Sequence, residues 1–130
     1  MIFVDTNVLM YAVGREHPLR LEAREFFLSS LKGGEILVTS SEVLQELLHA
    51  YIPVGRETTL DTALTLAQGR MAQIWPVEVE DVLLARTLVD GHPGLGARDL
   101  LHLASCRRRR VKRIKSFDRA LAAVFRDGAV

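Results

Sequence analysis

The chain has 130 residues, 48% hydrophobic and 25% charged. That is ordinary for one globular domain, expected over 1–130, and large enough to fold without staples. A single cysteine, Cys106, excludes an intramolecular disulfide and fits a reducing cytosol. Asp5 interrupts the N-terminal apolar run, which argues against a signal peptide, and no apolar stretch approaches the roughly 18 residues of a membrane span. A cytoplasmic protein with no membrane association is the expectation. The net charge of +1 conceals a polarised distribution: seven bases stand in the nine positions 107–115, and the rest of the chain holds ten bases against 16 acids. An acidic pocket beside a basic wall suits a polyanion held against a metal centre.

The run Ile2-Phe3-Val4, ending in Asp5, predicts a buried strand over 2–5 that delivers an acid to the start of a helix over 7–13. Pro18 opens a second helix, with Leu19, Ala23, Phe26, Phe27, Ser30 and Leu31 on one face and Gly33-Gly34 as its stop. A strand is expected at 36–39. Residues 41–52 form the clearest amphipathic helix, with Val43, Leu44, Leu47, Leu48, Tyr51 and Ile52 on one stripe and Glu42, Gln45, Glu46 and His49 on the other. Leu60, Ala63, Leu64, Ala67, Met71 and Ile74 carry another helix, ending near Gln73, whose apolar side faces the core or a dimer partner; helical stripes usually face inward. Residues 74–77 predict an edge strand, because Pro76 cannot donate to a ladder. A helix through 82–89 precedes the loop 91–96, whose glycines lack the dinucleotide-binding spacing. A helix over 98–108, a strand over 113–116 and a short helix over 119–125 complete the chain. Strands alternating with helices predict an α/β fold with a central, mostly parallel sheet of four to five strands and helices on both faces.

Four acids have addresses near strand ends or helix starts: Asp5, Glu42, Asp99 and Asp118. Each has a structural alternative. Asp5 and Asp118 suit N-caps, and Thr39 and Glu42 have capping-box spacing. Glu46, one turn beyond Glu42, is a plausible neighbour or substitute for it. Asp99 opens a helix that is apolar nearly all round, so it needs a cation, a base or a cap. His102, three residues on, faces the same way; it orients that carboxylate or a substrate phosphate, or is a core histidine with one hydrogen bond. Ser116 sits at a strand end and suits either a metal-bound water or a helix cap. Collectively the acids say more. Two like charges about 4 Å apart repel by roughly 4 kcal/mol at an effective dielectric near 20. Converging carboxylates therefore call for a counter-ion, and hard oxygen ligands without a Cys or His cluster favour Mg²⁺ or Mn²⁺ over Zn²⁺.

Taken in order, these segments resemble the PIN domain, particularly the small VapC-type toxins of prokaryotic toxin–antitoxin pairs. Ile2-Phe3-Val4-Asp5-Thr6-Asn7 followed by Val8-Leu9 is similar to the family's opening motif. Ser41-Glu42-Val43-Leu44-Gln45-Glu46-Leu47 resembles the second acidic motif and places the family glutamate at Glu42. Arg98-Asp99-Leu100-Leu101-His102-Leu103-Ala104 resembles the third, with Asp99 as metal ligand, and Ser116-Phe117-Asp118 the fourth, with Asp118 as its more variable acid. Thr6 and Ser116 match small hydroxyl positions near the metal, and Asn7 a supporting polar position. The order and spacing of the motifs, from residue 2 to about 125, make the match specific. The fourth motif has Ser where Thr is common, and Arg107–Arg110 are unusually basic for the family. The resemblance implies a single PIN-like domain, a Mg²⁺- or Mn²⁺-dependent endoribonuclease, homodimerisation and inhibition by a cognate antitoxin.

On this reading Asp5, Glu42, Asp99 and Asp118 hold one or two cations, and water attacks an RNA phosphodiester in line, leaving a 5′-phosphate and a 3′-hydroxyl as the family implies. Arg107, Arg108, Arg109, Arg110, Lys112, Arg113 and Lys115 either hold the RNA backbone or form a solvated helix end. Two other functions remain open. One is a non-catalytic nucleic-acid or partner-binding module whose acids only cap helices. The other is an Asp-nucleophile phosphatase; such enzymes want a second Asp two residues after the first, where this chain has Asn7.

Overall fold

In a computed structural model describing residues 1–130, the opening apolar triplet forms β1 (Ile2–Val4), buried throughout. It is an inner strand of a four-stranded sheet of order β3-β2-β1-β4, with β2 (Leu37–Ser40), β3 (Gln73–Trp75) and β4 (Arg113–Lys115), and every pairing is parallel. A parallel sheet covered on both faces demands continuous apolar strands rather than alternating ones, which is how β1 reads. The register identifies the two faces. Phe3 pairs with Ile114 and Val38, while Val4 pairs with Lys115. On the first face the Phe3 ring lies 5.7 Å from Trp75 and 5.4 Å from His102. On the second, the Lys115 ammonium lies 5.8 Å from the Phe26 ring.

Seven helices surround the sheet: α1 (Thr6–Val13), α2 (Pro18–Lys32), α3 (Ser41–Tyr51), α4 (Glu57–Arg70), α5 (Val79–Leu88), α6 (Ala97–Arg108) and α7 (Arg119–Phe125). The expected α/β architecture with a parallel sheet is therefore present, with four strands. No helix is long and apolar enough to cross a membrane. The stripe on α4 goes to the core, with Leu60, Ala63, Ala67 and Met71 all buried. Several boundaries differ from expectation by one to three residues, among them the α5 start at Val79 and the segment around β3. α4 stops at Arg70, and β3 occupies 73–75 rather than 74–77. The Ala72 N–H already joins the Leu37 carbonyl at 2.8 Å, and Pro76 has no N–H with which to extend the ladder. The Thr39–Glu42 capping box does not form. β2 runs on through Ser40, so Thr39 lies inside the sheet and its hydroxyl donates to the Val4 carbonyl at 2.9 Å.

Connectivity fixes where a ligand can bind. From β1 the chain crosses to β2 and β3 on one side and returns to β4 on the other. The strand order thus reverses beside β1, and the crevice beyond the carboxyl ends of β1 and β4 is the switch point at which open α/β sheets take ligands. Asp5 and Ser116 are the residues that follow those two strands.

The basic run is placed quite differently. Arg113 pairs with Ile2 at the amino end of β1, and none of residues 107–115 lines that crevice. Asp81 of α5 is fully buried and accepts hydrogen bonds from Arg108 at 2.7 Å and Arg109 at 2.8 Å, while Glu78 takes a second bond from Arg109 at 2.9 Å. Burial alone would raise the Asp81 pKa, but the Arg109, Glu78 backbone and Arg108 hydrogen bonds hold it below the usual carboxylate range. Arg109 also lies over the Trp75 ring, 4.8 Å from its centroid. Arg113 pairs with Glu35 at 3.1 Å, and buried Lys115 donates to the Val130 carbonyl at 3.1 Å. Four of the seven bases expected at RNA are thus engaged within the protein, and Arg108 and Arg109 bind α5 to α6. Only Arg107, Arg110 and Lys112 stay unpaired, at the far end of α6 and the turn after it. Replacing Asp81 by Ala strands two guanidinium groups against a buried wall. Urea denaturation should show a loss of about 3 kcal/mol, the low end for breaking a buried pair because both arginines remain partly solvated.

Candidate active site

Asp5 stands where β1 ends, and its backbone conformation is extended, so it caps α1 while projecting its carboxylate over the sheet edge. The α1 cap and the strand end are one residue, because the apolar triplet stops there and Thr6 begins the helix. Its Oδ1 accepts from the Thr6 N–H at 2.7 Å, and its Oδ2 accepts from the Ser116 hydroxyl at 2.6 Å. The Ser116 oxygen in turn accepts from the Asp118 N–H at 3.0 Å. Asn7 closes the ring: its Oδ1 accepts from the Phe117 N–H at 3.1 Å and its Nδ2 reaches Ser116 Oγ at 3.5 Å. Thr6, Asn7 and Ser116 therefore fix the turn after β4 against the start of α1, and through it the two carboxylates Asp5 and Asp118. Asp118 also caps α7, its Oδ1 accepting from the Leu121 N–H at 3.1 Å.

The crevice is lined by Asp5, Asp99 and Asp118 together with Glu46, Thr6, Asn7, His49 and Arg98. Three of the four acids expected to converge do so. Glu46 is the fourth acid of the lining, and Glu42 is not among the lining residues. The two glutamates share a face of α3, one turn apart, about 6 Å along the axis. The crevice meets the second turn of that helix, where Glu46 is bonded to Thr6 of α1 and His102 of α6. Glu42 is half-buried, and burial first, then the negative charge of Glu46, raises its pKa. Sequence reading missed two bases near the acids. Arg98, the residue before Asp99, lines the crevice from the first turn of α6. His49 lies at i+3 from Glu46, a spacing that would have found it once Glu46 was chosen.

His102 resolves as a buried residue attached to the site. Its Nε2 lies 2.9 Å from Glu46 Oε1 and 3.8 Å from Asp5 Oδ1. Donation to Glu46 requires the proton on Nε2, and Nδ1, also buried, has no partner. Burial works to lower its pKa, but the hydrogen bond to Glu46 and the charges of Asp5 and Glu46 prevail and raise it. Glu46 also accepts a short hydrogen bond from the Thr6 hydroxyl. Burial pushes the Glu46 pKa up, yet its bonds with His102 and Thr6 leave it below the usual range. His102 thus turns Glu46 toward the crevice.

The donor set fits a hard divalent cation. Asp5, Glu46 and His102 offer atoms within 4.8 Å of one another, but the imidazole Nε2 is occupied by its carboxylate bond and Nδ1 is buried, so the accessible capacity belongs to oxygens. The electrostatics agree. Burial, then the charges of Asp118 and Asp5, drive the Asp99 pKa up to about 6. Asp5 is also raised, chiefly by burial. Carboxylates that resist ionising beside one another are relieved by a cation in their midst.

This repulsion has a measurable sign. Asp99 binds its proton more tightly folded, at about 6, than at its ordinary value of 3.8. The stability it lends is complete below pH 3.8 and lost as pH rises through about 6. In EDTA, the melting temperature should fall across that window, and Asp99→Asn should flatten the fall. Millimolar Mg²⁺ at pH 7 should raise the melting temperature of the unmutated protein and raise that of Asp99→Asn less. Equal responses of the two proteins would refute the cation assignment.

Comparison with known proteins identifies the family. The PIN domain family model matches residues 2–126. Ribonuclease VapC23 of Mycobacterium tuberculosis is 66% identical over 126 residues, covering 97% of this chain and 99% of that protein. Ribonuclease VapC13 of the same organism is 41% identical over 119 residues, 92% of this chain and 91% of its own. Among solved structures, M. tuberculosis VapC20, described as a sarcin-ricin loop cleaving toxin, superposes with a TM-score of 0.78 at 17% identity over 95% of each chain. A toxin–antitoxin complex from Klebsiella pneumoniae gives 0.68 at 17% identity, over 100% of this chain and 96% of that one. A nearly full-length model match and relatives at this identity leave one assignment: the chain belongs to the PIN domain family, alongside the VapC ribonucleases.

Proposed function

We propose that this protein is a Mg²⁺- or Mn²⁺-dependent endoribonuclease, the toxin of a toxin–antitoxin pair. The observation that carries the reading is the convergence of Asp5, Glu46, Asp99 and Asp118 on one crevice at the switch point of the sheet, with the Asp99 pKa pushed up to about 6 by burial and then by the charges of Asp118 and Asp5. Those four acids are the proposed ligands. A divalent cation bound among them would supply Lewis acidity, activating water and neutralising charge on the phosphoryl oxygens. The chain's own contribution is positional. The Thr6 N–H and the Ser116 hydroxyl hold both oxygens of Asp5, and His102 and Thr6 hold Glu46. Arg98 places a positive charge at the rim, where it suits a strand phosphate. Water then adds to phosphorus as the ribose oxygen departs, with no side-chain nucleophile. The Asp-nucleophile alternative is disfavoured because Asn7, where a second acid would be needed, is committed to the Phe117 N–H.

The names of the relatives support RNA as substrate, and the K. pneumoniae complex supports a cognate antitoxin as partner. We extend the reading to a cytoplasmic homodimer, as the family resemblance implies.

Cleavage of structured RNA should require Mg²⁺ or Mn²⁺ and stop in EDTA. Asp5→Asn, Glu46→Gln and Asp99→Asn should each lower kcat by more than about 100-fold, beyond the 10–100-fold typical of residues that only orient metal ligands. Glu42→Gln should cost a few-fold at most. Cleavage that persists in EDTA would defeat the metal mechanism. Loss in Glu42→Gln with retention in Glu46→Gln would restore Glu42 as the ligand.

The orienting role of His102 predicts a loss within that 10–100-fold range for His102→Asn, partly recovered by raising Mn²⁺ if the defect is in metal affinity. Metal titration of the initial rate gives the measurement.

A further inference from the structure

Beside the acid crevice lies a second cavity of about 310 Å³, at the small end of the roughly 300–1,000 Å³ typical of ligand sites. The two share walls, since Asn7 and Met10 line both. Whatever occupies one is therefore next to whatever occupies the other. The chemistry of the second cavity differs. Its walls carry no acid cluster but two tyrosines, a histidine and two arginines.

From α1 and the loop after it come Tyr11 and His17, whose rings lie 4.6 Å apart at 36°. From the end of α3 and the turn that follows come Tyr51 and Arg56, with the guanidinium 5.6 Å from the ring centroid. Arg15 adds a second guanidinium to the lining. Aromatic faces beside arginine planes are what single-stranded bases stack on, and the positive charge suits the phosphates on either side of a base. The same lining includes Glu16, which would repel a phosphate lodged in the cavity itself but can accept a hydrogen bond from a ring or exocyclic N–H of a base. The occupant that matches all of these is an unstacked base with its backbone outside.

We propose that this cavity holds one nucleobase of a single-stranded RNA substrate, adjacent to the nucleotide whose phosphate enters the acid crevice, and so sets where the strand is cut. The inference rests on the ribonuclease reading of that crevice and adds to it a specificity site. Tyr11, His17, Arg15 and Arg56 are its positioning residues. It also explains why the conspicuous basic run is not needed at the crevice: the cations for substrate come from the loop after α1, the start of α4 and Arg98.

The test is cleavage-site sequencing of a randomised single-stranded RNA pool in Mg²⁺ or Mn²⁺, with Arg56→Gln, Arg15→Gln and Tyr11→Leu compared with the unmutated protein. Melting temperatures establish that each variant is folded; the two arginine variants, lying toward the surface, keep the test open if Tyr11→Leu is unstable. The unmutated protein should show a base preference at one fixed position from the cut. The variants should flatten that preference and raise KM on the preferred RNA about tenfold, as loss of a stacked base would, with a smaller change in kcat. An abasic nucleotide at that position should raise KM for the unmutated protein and make little further difference to the variants. If the unmutated protein cleaves with a preference that all folded variants retain, or cleaves with none, the base site is overturned while the ribonuclease reading stands. If it cleaves no RNA with either metal, the ribonuclease reading fails and the base site falls with it.

Discussion

Mutual repulsion among carboxylates at the end of a buried strand is the constraint around which the molecule is arranged. Asp5 cannot be moved: it ends β1, caps α1 and is buried, so its charge must be met by groups brought to it. The fold brings a backbone N–H from Thr6, a hydroxyl from Ser116 and, at longer range, the imidazole of His102. These hold the carboxylate in place but do not neutralise the acids that gather around it, and burial, then the charges of Asp118 and Asp5, raise the Asp99 pKa. The residual negative potential is the property a cation-dependent site requires.

Positional accuracy comes from elements far apart in the chain. Thr6 and Glu46 are 40 residues apart, Glu46 and His102 are 56, and Asp5 and Ser116 are 111. Each link joins a different pair among α1, α3, α6 and the turn after β4. The parallel sheet makes this possible, since all its strands end at one edge and their following residues meet there. His102 occupies an unusual middle ground in that network. It packs against Phe3 as a core residue and holds Glu46 as a polar one.

Charge is divided in an unexpected way. The dense arginine run is spent largely on Asp81, Glu78 and Glu35, making it a fastening between α5, α6 and the sheet edge. The bases that adjoin the acids are scattered singly along the chain, as Arg98, Arg15 and Arg56. A count of local charge finds the first group and overlooks the second.

That contrast marks the boundary of what the residues could tell in linear order. The parallel sheet, the place of Asp5 at the end of β1, Asp99 in the first turn of α6 and Asp118 as the cap of α7 were legible, because apolar runs, caps and helical periodicity are local properties of neighbouring residues. The choice between Glu42 and Glu46 was not. Both lie on one polar stripe of the same helix, and the motif resemblance pointed to Glu42. Which of the two meets the crevice depends on how α3 packs against Thr6 of α1 and His102 of α6, and not on α3 itself. The fate of the basic run was likewise hidden, since its partners Asp81 and Glu35 are distant in sequence. Which acid meets which base is a property of packing, and long-range pairing energies leave no periodicity in the chain from which they could be read.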